Sequence, residues 1–313
     1  MAPGEGGAAP APCELVEYTD PLCPWAWGAE PLFRGLRAAL GERVRRRRVF
    51  AILFDEDDDP APDAAAETAW YARYVEEISG HTGAPRAERL SRVAASSWPS
   101  SLVARAAEAQ GGAVADRVLR RLRETVFVLG EPADTLDAAL SAARGVPGLD
   151  EVRLAADAVS AAVRDSVAAD RAEARRPVPE VFSVEAAGPH PGAAKETPDG
   201  EHRYALPTLL VRGAGGHRVV PGRRPFAAYA AAVGAMCPGP VPDPPPLPAA
   251  RALAHYGSLT EPERLLLTRG AWPPAGAVRV DTGNGALWLH PEEAATHPAT
   301  RGTARNARVS GRT

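Results

Sequence analysis

Asp20-Pro21-Leu22-Cys23-Pro24-Trp25-Ala26-Trp27 is the stretch that decides how this chain is read. Ahead of it, the apolar run with Leu15, Val16 and Tyr18 predicts a strand over residues 14–18. Behind it, Leu32, Phe33, Leu36 and Leu40 recur at helical spacing, and Pro24 suits a first turn, so a helix is predicted over 24–40. Cys23 then falls at a helix N-terminus, where unpaired N–H groups and the helix dipole favour a thiolate. A cysteine so placed is expected to be a low-pKa nucleophile.

A second strand is predicted over 44–54, ending in Val49-Phe50-Ala51-Ile52-Leu53-Phe54, an apolar run suited to burial on both faces. Strand, helix and strand in this order argue a parallel pair with a right-handed crossover. From 63 to 176 the period becomes helical: Trp70, Tyr74 and Ile78, then Leu102, Val103, Ala106 and Ala107, then Val118, Leu119, Leu122, Val126 and Leu129. With the Ala-rich stretch 149–174, that is a block of about five helices. Residues 177–204, rich in Pro, Gly and His, read as a loop. A hairpin follows, with strands at 208–212 and 217–220, and then a closing helix at 225–236 whose apolar face holds Phe226, Tyr229 and Val233. Residues 237–248 are a Pro-dense linker. In the unit 249–290, Thr260 and Glu263 form a capping box opening a short helix at 263–268, and 277–281 with 286–290 suggest a hairpin. Residues 1–12 and 291–313 are expected to be disordered.

A net charge of -3 over 313 residues gives no support to nucleic acid or an anionic membrane as the partner. The basic residues are almost all arginine. Lys195 is the only lysine, and with the Ala, Pro and Gly content this points to a high-GC coding bias and a bacterial source. The start of the chain has neither the basic nor the apolar part of a signal peptide, and no stretch is long and apolar enough to span a membrane. The seven histidines show no zinc-ligand spacing and fall in loop-rich places that suggest solvated side chains, so no metal site is expected. The glycines at 213–216 and 283–285 read as turn glycines, not nucleotide loops. Arg45 to Arg48 reads as a solvated basic run that could also meet an anion or an acidic partner. Asp55 to Asp59 reads as a solvated acidic loop.

Strand, Cys-Pro-Trp and helix together resemble the active site of the DsbA-like branch of the thioredoxin superfamily. Leu206-Pro207-Thr208 stands where those folds carry a cis proline just before the third strand, facing the active-site cysteine. The run from Trp98-Pro99-Ser100-Ser101-Leu102 to Gly111, followed by Leu119 to Phe127, is similar to the helical insertion of FrnE-like DsbA proteins and of the ClpXP adaptor YjbH/SpxH. The resemblance covers residues 14–236. It implies an α/β, thioredoxin-like fold built from 13–62 and 205–236, with a central all-helical insertion at 63–176. The insertion should form a lid over a pocket lined by Cys23, Pro24, Trp25, Leu206, Pro207 and Trp98. The unit after 248 resembles a reduced winged helix, with only 270–275 where a recognition helix would stand, so DNA reading is not expected.

One position departs from the pattern: Ala26 stands where the dithiol members of that branch carry their second cysteine. A mixed disulfide at Cys23 therefore lacks its usual resolving thiol. Cys13 lies at the far end of the first strand, about 30 Å away if extended. Cys237 follows the closing helix, which in this fold packs away from the site. Three readings follow. In the leading one, Cys23 is the catalytic residue of a monothiol thiol–disulfide oxidoreductase acting on a client protein. Its mixed disulfides would be resolved by a small thiol such as mycothiol or glutathione as co-substrate, with no tightly bound cofactor. In the second, the fold is a non-catalytic adaptor. In the third, the chain is a thiol-dependent enzyme like the kappa-class transferases and hydroxychromene carboxylate isomerases, whose usual Ser at the nucleophile position Cys23 does not match. A DsbA-like site without an export signal implies the cytoplasm, so the three cysteines are read singly rather than as a disulfide framework. Trp25 and Trp27, on either side of Ala26, are predicted to face different ways, and Asp20 to brace the loop.

Overall fold

The first strand, β1 (Glu14–Thr19), runs into a short turn and then into α1 (Pro24–Leu40), which returns the chain to β2 (Arg45–Phe50). The computed structural model describes residues 13–55, 61–184, 188–190 and 192–301. Residues 1–12 and positions 56–59 of the acidic run lie outside these. Six helices follow: α2 (Ala64–Thr82), α3 (Trp98–Glu108), α4 (Gly112–Phe127), α5 (Leu136–Ala143), α6 (Glu151–Ala158) and α7 (Ala161–Ala174). A 3-10 turn (Pro179–Ser183) leads to β3 (Ala194–Glu196) and β4 (His202–Tyr204), then to β5 (Thr208–Gly213), β6 (Gly216–Pro221) and α8 (Phe226–Met236). The C-terminal part holds β7 (Leu247–Pro248), α9 (Ala249–Tyr256), β8 (Ser258–Leu259), α10 (Glu261–Leu267), β9 (Thr268–Arg269), β10 (Val278–Thr282), β11 (Gly285–Leu289) and α11 (Pro291–Ala294).

The main sheet has the order β2-β1-β5-β6. β1 and β2 are parallel, with Glu14 opposite Arg45 and Thr19 opposite Phe50, whereas β5 is antiparallel to both β1 and β6. Phe33, Leu36 and Leu40 of α1 pack with Leu15, Val211 and Tyr229 in one core cluster. Each such side chain contributes about 1.5–3 kcal/mol by leaving water. The arrangement is a thioredoxin-like α/β fold with helices inserted in its middle.

β2 stops at Phe50, short of the expected end at 54. Beyond it the Asp20 carboxylate takes the backbone instead of a sheet neighbour: Leu53 N–H donates to Asp20 Oδ2 at 2.8 Å. The outer edge of β2 is blunted by α7, whose Asp170 Oδ2 accepts the Phe50 N–H at 3.0 Å.

Three expectations need correction. The loop expected over 177–204 contains a 3-10 turn and the β3–β4 hairpin. Its strands are three residues each, too short to show alternation, and Asp199 shapes the turn by accepting from Thr197 Oγ1 and Glu201 N–H. The tail expected to be disordered from 291 is ordered through 301: α11 forms, and His297 is fully buried with its Nε2 2.9 Å from Glu124 Oε2. This segment is held by charge rather than by apolar side chains. Arg121 of α4 pairs with Glu293, so the polarity that suggested disorder is the polarity of the contact. Third, Cys13 and Cys237 are not single thiols but a disulfide, with Cα atoms 5.4 Å apart. α8 ends against Gly213 at the end of β5, and because β5 is antiparallel to β1 this brings Cys237 to Cys13 at the start of β1. Gly213 allows this, because a Cβ there would collide with the Met236 backbone.

The C-terminal unit is fastened through buried ion pairs. Arg120 makes two bonds of 2.9 Å to Glu263, and Arg34 lies 3.0 Å from the same carboxylate. Glu30 of α1 meets Arg34, Arg37 and Arg123. Removing one member of such a buried set costs about 3–5 kcal/mol, because a charge is left unpaired. Residues 270–275 contain no helix.

Candidate functional site

Cys23 is the N-cap of α1, with Pro24 opening the helix behind it. The Ala26 and Trp25 N–H groups of the first turn favour the charged form of the Cys23 sulfur, though neither makes a capping hydrogen bond to it. Its S–H donates to the Leu206 carbonyl at 3.9 Å, and the Leu206–Pro207 peptide is cis. The same carbonyl accepts from His190 Nε2 at 3.0 Å. Asp20 braces the turn below: its Oδ1 accepts from Leu22 N–H at 2.8 Å and Ser97 Oγ–H at 3.0 Å, and its Oδ2 from Leu53.

The expected low thiol pKa is not what this geometry produces. Cys23 is only 3% exposed, and burial pushes its thiol up to about 11; the Asp20 charge adds to the shift, while the Ala26 and Trp25 N–H groups oppose it. The helix terminus does act on the sulfur, but desolvation of the thiolate outweighs it. At pH 7 the thiol is then the predominant form. Asp20, fully buried, has its own carboxyl raised to about 6 by burial against its three hydrogen bonds. Burial also moves His190 below its ordinary value, so the imidazole beside Leu206 is neutral.

A cleft of about 230 Å³ opens over the sulfur. Cys23, Pro24, Trp25 and Leu206 line it, as does α2 through Glu67, Trp70, Tyr71 and Tyr74. Trp25 Nε1–H donates to Tyr74 Oη at 2.9 Å, Trp70 stacks on Tyr74 with ring centroids 5.6 Å apart, and Trp70 stays 57% exposed at the mouth. The opposite wall carries His190, Lys195 and Arg203, the last two from the β3–β4 hairpin. The insertion thus lies over the cysteine, but through α2.

Trp98 is elsewhere. Its Nε1–H donates to Asp55 at 3.1 Å and Arg164 stacks over its ring, which holds it on the α7 side and out of the cleft. Pro207 is buried beneath Leu206 and does not reach the cleft lining. Trp25 faces the sulfur side. Trp27 points away, donating to the Pro85 carbonyl at 2.8 Å and lying under Arg120. His190 and His297 are buried, contrary to the solvated side chains expected of the histidines.

Sequence reasoning missed His190, Lys195 and Arg203 because all three sit on the stretch taken for a loop. Lys195 carried one signal, as the only lysine of the chain. No group of three or more His, Cys, Asp or Glu side chains that could hold a metal occurs among the described residues, and no helix of them is long and apolar enough to cross a membrane.

The family model described as Thioredoxin matches residues 17–176. The chain belongs to the thioredoxin family. Two curated relatives, both named ClpXP adapter protein SpxH, are similar to it. The one from Shouchella clausii is 30% identical over 162 residues, covering 50% of this chain and 52% of that protein. The one from Halalkalibacterium halodurans is 29% identical over 144 residues, covering 44% and 46%. The chain therefore matches about half the length of these relatives. A solved structure from Nitrosomonas europaea, titled as a candidate protein disulfide isomerase, superposes with a TM-score of 0.55 at 14% identity, covering 72% of this chain and 97% of that one. It shares the fold.

Proposed function

We propose that the protein is a binding member of its family, whose Cys23 cleft holds an apolar side chain from a segment of a protein partner. The observation that carries this reading is the state of Cys23. Its sulfur is buried and bonded to Leu206, Ala26 replaces a resolving thiol, and the remaining cysteines, Cys13 and Cys237, hold each other. The aromatic wall of Trp25, Trp70 and Tyr74 offers the contact area, and Lys195 with Arg203 favours an acidic flank on the bound segment. The relatives named as ClpXP adapters support a protein partner, and delivery of that partner to a protease of that type is the role we assign. No nucleic acid or membrane surface is needed for it.

The placement of two N–H groups and a peptide carbonyl around the sulfur favours a second reading, monothiol exchange. There the Cys23 thiolate displaces one sulfur of a client disulfide, forming Cys23–S–S–client and releasing the other as a thiol. A small thiol such as mycothiol or glutathione then attacks, regenerating the Cys23 thiol and leaving a client–small-thiol disulfide. Cytoplasmic reduction would keep such a cycle supplied.

The test uses the full chain as bait for a partner. In the binding reading, Cys23→Ser retains the partner and Trp70→Ala loses it. Loss on Cys23→Ser, with reducible covalent capture by the wild type, would favour exchange instead.

A further inference from the structure

The four arginines of Arg45 to Arg48 divide by strand alternation. Arg45 and Arg47 turn to one side and pair with Glu14 and Glu173. Arg46 and Arg48 turn to the other and, with Arg37 and part of Arg47, line a cavity of about 420 Å³ that shares no residue with the Cys23 cleft. Its size is that of a small-molecule site.

The floor is apolar: Leu15, Phe33, Leu36, Leu40, Val44 and Leu209. The carboxylates on the wall are mostly engaged. Asp116 is taken by Arg48 and Arg37, Glu108 by Arg105, and Glu17 lies within 4.0 Å of Arg37, Arg48 and Arg123. Glu42 is at the exposed rim.

Positive capacity is left over. Arg48 Nε is buried without a hydrogen bond, and Arg46 has no carboxylate within 4.0 Å among the described residues. Gly112, the first residue of α4, also lines the cavity, and the N-cap Gly111 supplies no side chain to its first-turn N–H groups. Arg48 Nε has Glu17 at 3.6 Å, so the donors without a close acceptor are Arg46 and the first turn of α4, beside a floor that suits a hydrocarbon chain.

We propose that this cavity binds a small amphiphile with an anionic head, of the medium-chain carboxylate class. The head meets Arg46, Arg48 and the first turn of α4, and the chain lies over Leu15, Phe33 and Leu36. The apolar floor disfavours fully polar anions such as free phosphate.

Calorimetric titration of the full chain with decanoate, below its micelle concentration, tests this. Saturable binding is expected at one site. It should weaken at least tenfold in Arg46→Glu and for the uncharged decanamide, and stay unchanged in Cys23→Ser and Trp70→Ala. Arg46 is exposed and unpaired, so the variant should fold; Arg46→Gln, measured alongside, should weaken decanoate in the same direction. No saturable binding, equal affinity in Arg46→Glu and the wild type, or loss of binding in Trp70→Ala would overturn the proposal. Failure here leaves the Cys23 reading untouched, because the two sites share no residue.

Discussion

The sulfur of Cys23 lies 3.9 Å from the Leu206 carbonyl oxygen, across 183 residues of sequence, and that oxygen is already taken by His190 Nε2. The thiol therefore sits in a closed set of neutral hydrogen-bonding groups rather than at an open, electropositive helix end. The surroundings of Cys23 stabilise its thiol form.

Asp20 is the brace of that arrangement. Asp20→Ala leaves the N–H groups of Leu22 and Leu53 and the Ser97 hydroxyl without their acceptor, and should cost about 2–4 kcal/mol in chemical denaturation. Asp20→Asn removes the charge that helps raise the thiol, so alkylation of Cys23 should titrate at lower pH than in the wild type. An unchanged titration would contradict the role given to the Asp20 charge.

Stability should fall in acid. Burial opposes ionisation of Glu30, but Arg123, Arg37 and Arg34 bring its carboxyl down to about 2. A folded-state value below the unfolded one contributes stability that is complete above pH ~4.5 and is lost as pH falls toward 2. Asp20 acts with the opposite sign: its raised value makes the fold less stable as pH rises from ~4 through 6. Urea midpoints of the wild type and Glu30→Gln, followed from pH 7 to 3, check this. The wild type should lose its advantage over the variant below pH 4.5.

Breaking the Cys13–Cys237 disulfide should destabilise the fold by about 2–5 kcal/mol, since it closes a loop with a separation of 224 residues. Cys237→Ser and reduction of the wild type should give the same loss, and reduction should add nothing to the variant. A buried structural disulfide also bears on the expected reducing cytoplasm, where such bonds are rare. Thiol counting on protein quenched in acid directly from cells should find one free thiol, Cys23, per chain. Finding three would return the pair to the single thiols expected from sequence.

Much of the fold is legible in the chain, and the unread parts share a cause. α1 falls at the residues predicted, because Pro24 fixes its start and Leu32 to Leu40 carry an unbroken period. The β5–β6 hairpin is announced by the apolar run Leu209-Leu210-Val211 and the glycines between its strands. The β3–β4 hairpin is not, because three-residue strands carry no period. The segment after 291 is not, because Arg121, Glu124, Glu293 and His297 are held by charge, which resembles solvated sequence until the partners are seen. The position of Cys23 at the site is visible in Cys-Pro-Trp; its burial is not, since it depends on Tyr71 and Tyr74 of a helix nearly fifty residues away.

Ala26→Cys should create what the chain lacks. Cys23 is the N-cap of α1 and Ala26 lies in its first turn, and one helical turn suits the disulfide separation. The variant should lose its free thiols on mild oxidation and gain insulin-reducing activity over a wild type that has little. Free thiols that persist under oxidant would contradict the geometry assigned to this turn.

The most direct measurement is the second-order rate of Cys23 with an aromatic disulfide reagent at pH 7, in the folded chain and in the same chain unfolded in urea with its Cys13–Cys237 bond intact. Only Cys23 can react in either state. Burial and a raised pKa should make the folded rate at least about 100-fold slower than the unfolded one. A folded rate equal to or faster than the unfolded rate would mean that the fold activates the sulfur, and the binding role would give way to monothiol exchange.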